Sequence, residues 1–172
     1  MSLAIERKKF LETQMQRTSI QSAFQHGGIY LDEIADDQKG ALRQTLETAL
    51  DRASFAYERT RTDDEHCHTM TQLAGEIGDQ HGHILQNQIF RIGIVQKALN
   101  LYLKYLWCLD LIPPPPHCPF DRGIIAQLGI PNPPNFTQIE TIAVYMNLVV
   151  AARRLSGAEG LGLAEWELLH WG

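Results

Sequence analysis

The feature that most constrains the fold is a long apolar segment that ends at a run of prolines. Residues 93–111 carry large apolar side chains at most positions, and four consecutive prolines follow at positions 113–116. Because proline lacks an amide hydrogen and clashes with the preceding turn, no helix continues through that run. The pattern predicts a central, largely buried helix from Gly93 to Leu111, with an extended loop from Pro113 to Pro119 packed at its end.

The flanking sequence predicts further amphipathic helices. Apolar residues recur at three- and four-residue spacing after Asp36 and Asp37, which can cap that helix. A similar stripe runs through residues 70–89, where glycines predict a break or kink. A short helix opens at Asp121, and a capping box at Thr137–Glu140 predicts the start of another.

The two ends of the chain complete a prediction of one all-α domain with six or seven helices. Ser2 to Phe24 and Leu163 to Trp171 can each form a helix, and no segment alternates apolar and polar residues as a strand would. We expect one compact domain over residues 1–172, with N-terminal helices in 1–90, a hairpin-like core in 91–130 and C-terminal helices in 136–172. A length of 172 residues is enough to bury one sizeable core.

Composition narrows the cellular setting and the classes of partner. Three cysteines do not form a disulfide framework, and no apolar run reaches a membrane span, so we expect a cytoplasmic protein that does not contact membranes. A net charge of −5 argues against coating nucleic acid through a broad basic face. Local binding stays open, because residues 91–122 carry four basic side chains and two acidic ones.

Residues 93–129 resemble the lysine-and-aspartate core of the helix-hairpin-helix DNA glycosylases. The segment Gly93 to Asn100 is similar to the hairpin turn and second helix of that superfamily, with Val95 where the hairpin has a second glycine. The segment from Cys118 to Gly129 is similar to the part that carries the catalytic aspartate at the start of the next helix. Within that superfamily the segment most resembles the archaeal oxoguanine glycosylases, which also have a Gln-Lys pair followed by a later lysine.

The resemblance implies a base-excision glycosylase or lyase, and a role for each matching residue. Lys97 would be the nucleophile at the start of the helix, and Asp121 would stabilise the positive charge that develops on the sugar. Backbone amides at the Gly93 turn would hold a phosphate. The predicted substrate-binding residues are completed by Gln96, Asn100, Lys104, Trp107, Phe120 and Arg122, and Tyr102 is a further aromatic side chain on which an extruded base can stack. This interpretation requires no cofactor, and the expected partner is DNA.

Three other interpretations stand beside it. Lys97, Lys104 and Asn100 also fit a solvent-facing polar stripe on an otherwise buried helix, and Asp121 after a proline is an ordinary N-cap. Histidine and cysteine cluster at residues 66–68, 81–83 and 117–118, and both are common metal ligands. We expect no metal site, because no ligand spacing organises the clusters, and we interpret these histidines as solvent-exposed side chains. The alternative function is a non-enzymatic interaction module, in which the tryptophan-bearing C-terminal helix binds a protein partner or a second copy.

Overall fold

The computed structural model describes residues 2–171, and these form an all-α domain. The α-helices within that range are α1 (Leu3–Phe24), α2 (Asp36–Ser54), α3 (Asp63–His81), α4 (Ile92–Cys108), α5 (Arg122–Gln127), α6 (Ile142–Ala158) and α7 (Leu163–His170). Strand-like pairing in the described part of the chain amounts to one isolated bridge between Tyr30 and Leu85. The predicted fold class and number of helices are confirmed.

Helix α4 lies at the centre of the domain. Most of its residues are buried, and its large apolar side chains, such as Leu99 and Leu103, are fully enclosed. It packs along α1 and also contacts α2, α3 and α6. The predicted central helix is therefore confirmed, although it ends at Cys108 rather than Leu111. The chain turns there because Asp110 adopts a left-handed conformation, with φ of 56°, which a helix cannot accommodate.

The first turn of α4 is pressed against the backbone of residues 136–139. The Gly93 amide donates a hydrogen bond to the Ile139 carbonyl at 2.9 Å. A Cβ atom on Gly93 would overlap the Phe136 carbonyl group, so only glycine permits this approach. The prediction that Gly93 lies in a turn ahead of the helix is wrong, because Gly93 is the second residue of α4.

The same contact explains a second correction, at the start of α6. Thr137, expected to cap a helix, lies in the 3₁₀ turn Phe136–Gln138 instead. The Ile139 backbone is extended and its carbonyl is bonded to α4, so a helix cannot begin there. Helix α6 begins at Ile142, and the Thr141 side chain accepts the capping hydrogen bond from the Val144 amide at 3.3 Å.

The break predicted after α3 is present. Helix α3 ends at His81 and gives way to two 3₁₀ turns, Gly82–Ile84 and Gln86–Gln88, before an extended stretch leads into α4. Helices α3 and α4 pack against each other. The chain therefore contains two packed helices joined by a compact ten-residue connection.

The C-terminal helix α7 docks on the domain through its tryptophan. Trp166 is 2% exposed, and its indole nitrogen donates a hydrogen bond to Glu159 at 3.1 Å. Leu169 and Trp171 remain exposed. Across residues 2–171 no helix is both long enough and apolar enough to cross a membrane.

Candidate functional site

Lys97 and Asp121, which are 24 positions apart in the chain, meet in the structure. The Lys97 ammonium donates a hydrogen bond to Oδ2 of Asp121 at 2.9 Å. The side chain of Lys97 is 7% exposed and that of Asp121 is 39% exposed. Lys97 lies in the second turn of α4 rather than at the helix start, beyond the first turn, where the helix dipole acts most strongly on a charge.

Asp121 is held in place by the helix that it caps. Its Oδ1 atom accepts a hydrogen bond from the Ile124 amide at 3.0 Å, which leaves Oδ2 for Lys97. Burial raises the pKa of Asp121, but the Ile124 amide and the Lys97 ammonium outweigh burial and bring that pKa below its ordinary value. The N-cap role predicted for Asp121 and its pairing with Lys97 therefore coexist in one side chain.

Two buried amides fasten the loop that carries Asp121 to α4. Gln96 bonds the Phe120 backbone in both directions, donating to the carbonyl at 2.8 Å and accepting from the amide at 3.1 Å. Asn100 donates to the Cys118 carbonyl at 2.9 Å. These bonds satisfy backbone groups that the prolines leave without a helical partner, and they fix the position of Asp121 relative to Lys97.

Lys97 and Asp121 line a cavity of about 350 Å³ between α1, α4 and α7. A second ion pair lies in its wall, where Lys104 Nζ is 2.7 Å from Oε2 of Glu167. Lys104 also lies 4.9 Å from the centre of the Trp171 ring. The remaining lining residues are polar side chains of α1 and its C-cap, together with three residues from α4 and the loop after it: Thr18, Gln21, Ser22, Gln25, Leu101, Tyr105 and Pro119.

The two carboxyl groups of the cavity lie in different environments. Glu167 is 2% exposed, and burial raises its pKa in spite of the neighbouring Lys104 ammonium. Asp121 is half-buried and its pKa is lowered. The charged side chains that line the cavity are two ammonium groups and two carboxylates, so their formal charges cancel. Such a wall favours a neutral or dipolar ligand over a polyanion.

Several residues predicted to contact a substrate are instead sealed in the core. Gln96 and Asn100 are fully buried and bonded to the loop backbone, as described above. Phe120 is also fully buried, with its ring edge-on to Tyr145 at 5.7 Å between centroids. Tyr102 is 2% exposed and faces another cavity, which it shares with Ile112. Their predicted roles in stacking or binding a base are wrong because neither the rings nor the amides reach this cavity.

Three other predicted contacts lie away from the cavity. The Gly93 amide is bonded to Ile139 and the residue is buried, so it cannot hold a phosphate. Trp107 is partly buried and is absent from the cavity wall. Arg122 is exposed and lines a different, smaller cavity with Pro133 and Pro134. Of the predicted substrate-binding residues, the structure places only Lys104 in the wall with Lys97 and Asp121.

Glu167 and Tyr105 are site residues that no sequence motif marks. Glu167 follows Lys104 by 63 positions, and no motif connects the two segments. Trp171 was considered only as part of a partner-binding helix, although its ring covers Lys104 in the structure. These residues meet because α7 folds back beside α1 and α4, which is a tertiary event without a local signal.

The histidine and cysteine clusters do not assemble into a metal centre. Among residues 2–171 no group of three or more His, Cys, Asp or Glu side chains could hold a metal ion. The exposed-histidine explanation is also wrong for two of them, since His66 and His117 are fully buried and their rings lie 4.5 Å apart. Cys118 is buried as well, and burial raises the pKa of its thiol.

Comparison with known proteins identifies no relative of the chain. Neither a family model, a curated protein nor a solved structure matches it. The resemblance to helix-hairpin-helix glycosylases therefore depends on residues 93–129 alone.

Proposed function

We propose that this chain is a helix-hairpin-helix, DNA-glycosylase-like protein whose Lys97–Asp121 cavity acts on a base taken out of nucleic acid. One observation carries the proposal: the amine and the carboxylate meet at 2.9 Å in the wall of a cavity of about 350 Å³. Cavities of roughly 300–1,000 Å³ are typical of small-molecule sites. A single planar base fits this space, whereas a duplex does not.

The pair can supply the charge and the proton that base excision needs. As the bond between the sugar and the base breaks, the Lys97 ammonium gives a proton to the departing base nitrogen. The Asp121 carboxylate faces the positive charge that develops on the sugar. The base leaves as a neutral molecule, and the neutral Lys97 amine attacks the sugar carbon. The bond between that carbon and the ring oxygen then breaks, a proton moves from the nitrogen to the oxygen, and the carbon–nitrogen bond becomes a protonated imine.

The rest of the cavity supports binding of an extruded base rather than of a nucleic-acid backbone. Tyr105 and Trp171 contribute aromatic side chains to its lining, and the polar side chains of α1 offer neutral hydrogen-bonding groups.

Borohydride trapping on DNA tests the proposal. The full chain is incubated with oligonucleotides that contain abasic sites or damaged bases, in single-stranded and duplex form, and the imine is reduced to a stable adduct. Lys97→Arg keeps the charge but cannot form an imine, so the adduct should disappear. Lys39→Arg, in α2 and outside the cavity, is the matched control and should keep it. If the wild-type chain shows neither an adduct nor DNA binding, the proposal is ruled out.

A protein-interaction module is the second candidate, and exposed apolar side chains favour it. Four such residues lie in the first half of α1 and two at the C-terminal end: Leu3, Ile5, Phe10, Leu11, Leu169 and Trp171. The buried Trp166 is unavailable to a partner, which reduces the predicted C-terminal surface to Leu169 and Trp171. Sedimentation velocity over a range of protein concentrations tests whether these residues form a homodimer. Phe10→Ser and Leu169→Ser distinguish the two surfaces.

A further inference from the structure

His66 and His117 form the centre of a buried polar network that joins four parts of the molecule. His66 belongs to α3, and His117 belongs to the loop between α4 and α5. The Tyr57 hydroxyl lies 2.6 Å from Nδ1 of His66, and the Tyr145 hydroxyl lies 2.7 Å from Nδ1 of His117. Asn100 of α4 donates a hydrogen bond to the Tyr145 hydroxyl at 3.1 Å. The network therefore connects the loop to α3, α4 and α6.

The chemistry of each partner sets the direction of these hydrogen bonds around His117. The Asp63 carboxylate only accepts, so Nε2 of His117, at 3.1 Å, donates to it. A neutral imidazole has one proton, and Nδ1 of His117 must therefore accept from the Tyr145 hydroxyl. The hydroxyl oxygen in turn accepts from Asn100. This arrangement is complete only while His117 is neutral.

A second proton on His117 breaks that arrangement. Nδ1 would become a donor directed at the Tyr145 hydroxyl, which already accepts from Asn100, and the hydroxyl proton would lose its acceptor. An unpartnered buried donor costs free energy because water cannot replace the lost hydrogen bond. A second proton on His66 meets a similar obstacle. Its Nε2 atom is enclosed and lacks a hydrogen-bond partner within the described residues, so a donor there has no acceptor.

The charges around the two rings give an additional proton little compensation. Asp63 is the carboxylate in contact with the network, and both of its oxygens already bond Arg153. Arg61 and Arg153 are cations whose charges disfavour protonation of His66 and His117 respectively. Other titratable groups beside the rings include Cys67 of α3, the neighbouring Cys118 and the tyrosines Tyr57 and Tyr145, and burial raises the pKa of each.

We propose that the His66–His117 network is an acid-sensitive latch, in which proton uptake by the imidazoles releases the loop of residues 113–120 from α3 and α6 and thereby displaces Asp121 from Lys97. His117 precedes Asp121 by four residues. Among the described hydrogen bonds, those from the side chains of α4 to this loop come from Gln96 and Asn100. Asn100 belongs to the latch itself. The proposal is independent of base excision, since it concerns the folded chain alone.

The direction of the pH effect follows from proton binding. Burial lowers the pKa of His117 to about 4 and that of His66 well below its ordinary value near 6.5. The unfolded chain therefore binds these protons first, and the contribution of the network to stability is fully present above about pH 6.5. It is lost progressively as the pH falls from there toward about 4. Two such groups lower the folding equilibrium constant by up to about a hundredfold per pH unit in this range.

Glutamine substitutions test the latch, because a side-chain amide both donates and accepts but does not titrate. Chemical denaturation of the wild-type chain, His66→Gln and His117→Gln is measured between pH 7.5 and 4.5. Each variant should reduce the pH dependence of the folding equilibrium constant by up to about tenfold per pH unit. His68→Gln is the matched control, since His68 is exposed on the same helix as His66. It should leave the pH dependence unchanged.

Hydrogen exchange of the wild-type chain provides a readout that does not need any variant to fold. Peptides that cover residues 113–128 should exchange faster at pH 5 than at pH 7.5, after correction for intrinsic rates. As the pH is lowered, this increase should appear at a higher pH than any increase in peptides from α4. Equal pH dependence in all four proteins would overturn the proposal. So would loop exchange that becomes faster only together with global unfolding.

Discussion

Lys97 and Asp121 are unequal partners because water reaches one of them and not the other. Lys97 is almost completely buried, whereas more than a third of the Asp121 side chain is exposed. Breaking a buried ion pair is costly chiefly when the partner left behind is a charge without solvent. Neutralising Lys97 and neutralising Asp121 should therefore change the free energy of unfolding by different amounts, although both changes remove the same 2.9 Å contact.

We predict that Asp121→Asn is the more damaging substitution. Asparagine still caps α5, so the variant isolates the charge, and it leaves the buried Lys97 ammonium without a counterion. The expected loss in the free energy of unfolding is about 2–3 kcal/mol, reduced from the fully buried case because Asp121 is partly exposed. Urea denaturation at pH 7.5 measures it.

Lys97→Met provides the comparison, since it removes the buried charge and leaves a carboxylate that water can solvate. We expect it to cost about 1 kcal/mol or less. The double variant should be more stable than Asp121→Asn alone, because no unpaired ammonium remains. Equal losses in the two single variants would show that the difference in burial does not control the energetics of the pair.

At the scale of helices, the first turn of α4 lies directly against the backbone of residues 136–139. This contact covers the amide end of α4, so the helix N-terminus is used for packing and not for ligand binding. It also sets where α6 can begin, since Ile139 is committed to Gly93. Gly93 thus affects both how the first turn of α4 packs and where α6 begins.

We predict that Gly93→Ala destabilises the protein strongly. The added methyl group would overlap the Phe136 carbonyl, which is backbone and cannot rotate away. The expected loss is about 3 kcal/mol, measured by chemical denaturation. Gly75→Ala is the matched control: Gly75 is also helical but has open space around its Cβ position, and alanine there should stabilise by about 0.5–1 kcal/mol. Similar results for the two variants would contradict the contact.

Over the whole molecule, burial rises steeply from the N-terminal end of α1 to the centre. Residues 2–11 are exposed, while the C-terminal half of α1 places Ile20 and Ala23 in the core against α4. Helix α4 contacts four of the other helices. Cooperative stability should therefore be concentrated in α4, and α1 should divide into a frayed half and a core half.

Amide hydrogen exchange, followed by NMR at neutral pH, measures this distribution. Amides from Val95 to Leu103 should exchange only through global unfolding, so their opening free energy should equal that from denaturation. Amides in residues 3–11 should exchange at nearly unprotected rates. Strong protection there would instead indicate that the exposed face of α1 is covered by a second copy, which would favour the interaction module.

Much of the fold could be predicted from local patterns. The apolar content of residues 93–111, the proline run after it and the capping residue Asp121 predict α4, the loop and α5, because each depends on side-chain burial or backbone chemistry within a few residues. The start of α6 was placed too early, at Thr137, because a capping pattern does not reveal that its backbone is already bonded to another helix.

Sequence alone determined the helical architecture and the identity of the lysine and the aspartate, while tertiary structure decided what surrounds them. The packing of α7 beside α1 and α4 brings Glu167 and Trp171 to the cavity, and the folding of the 113–120 loop buries His117 against His66. Helix formation is controlled by neighbours three or four residues apart, whereas these meetings join residues separated by 50 positions or more. Only the complete packing of the chain specifies such distances.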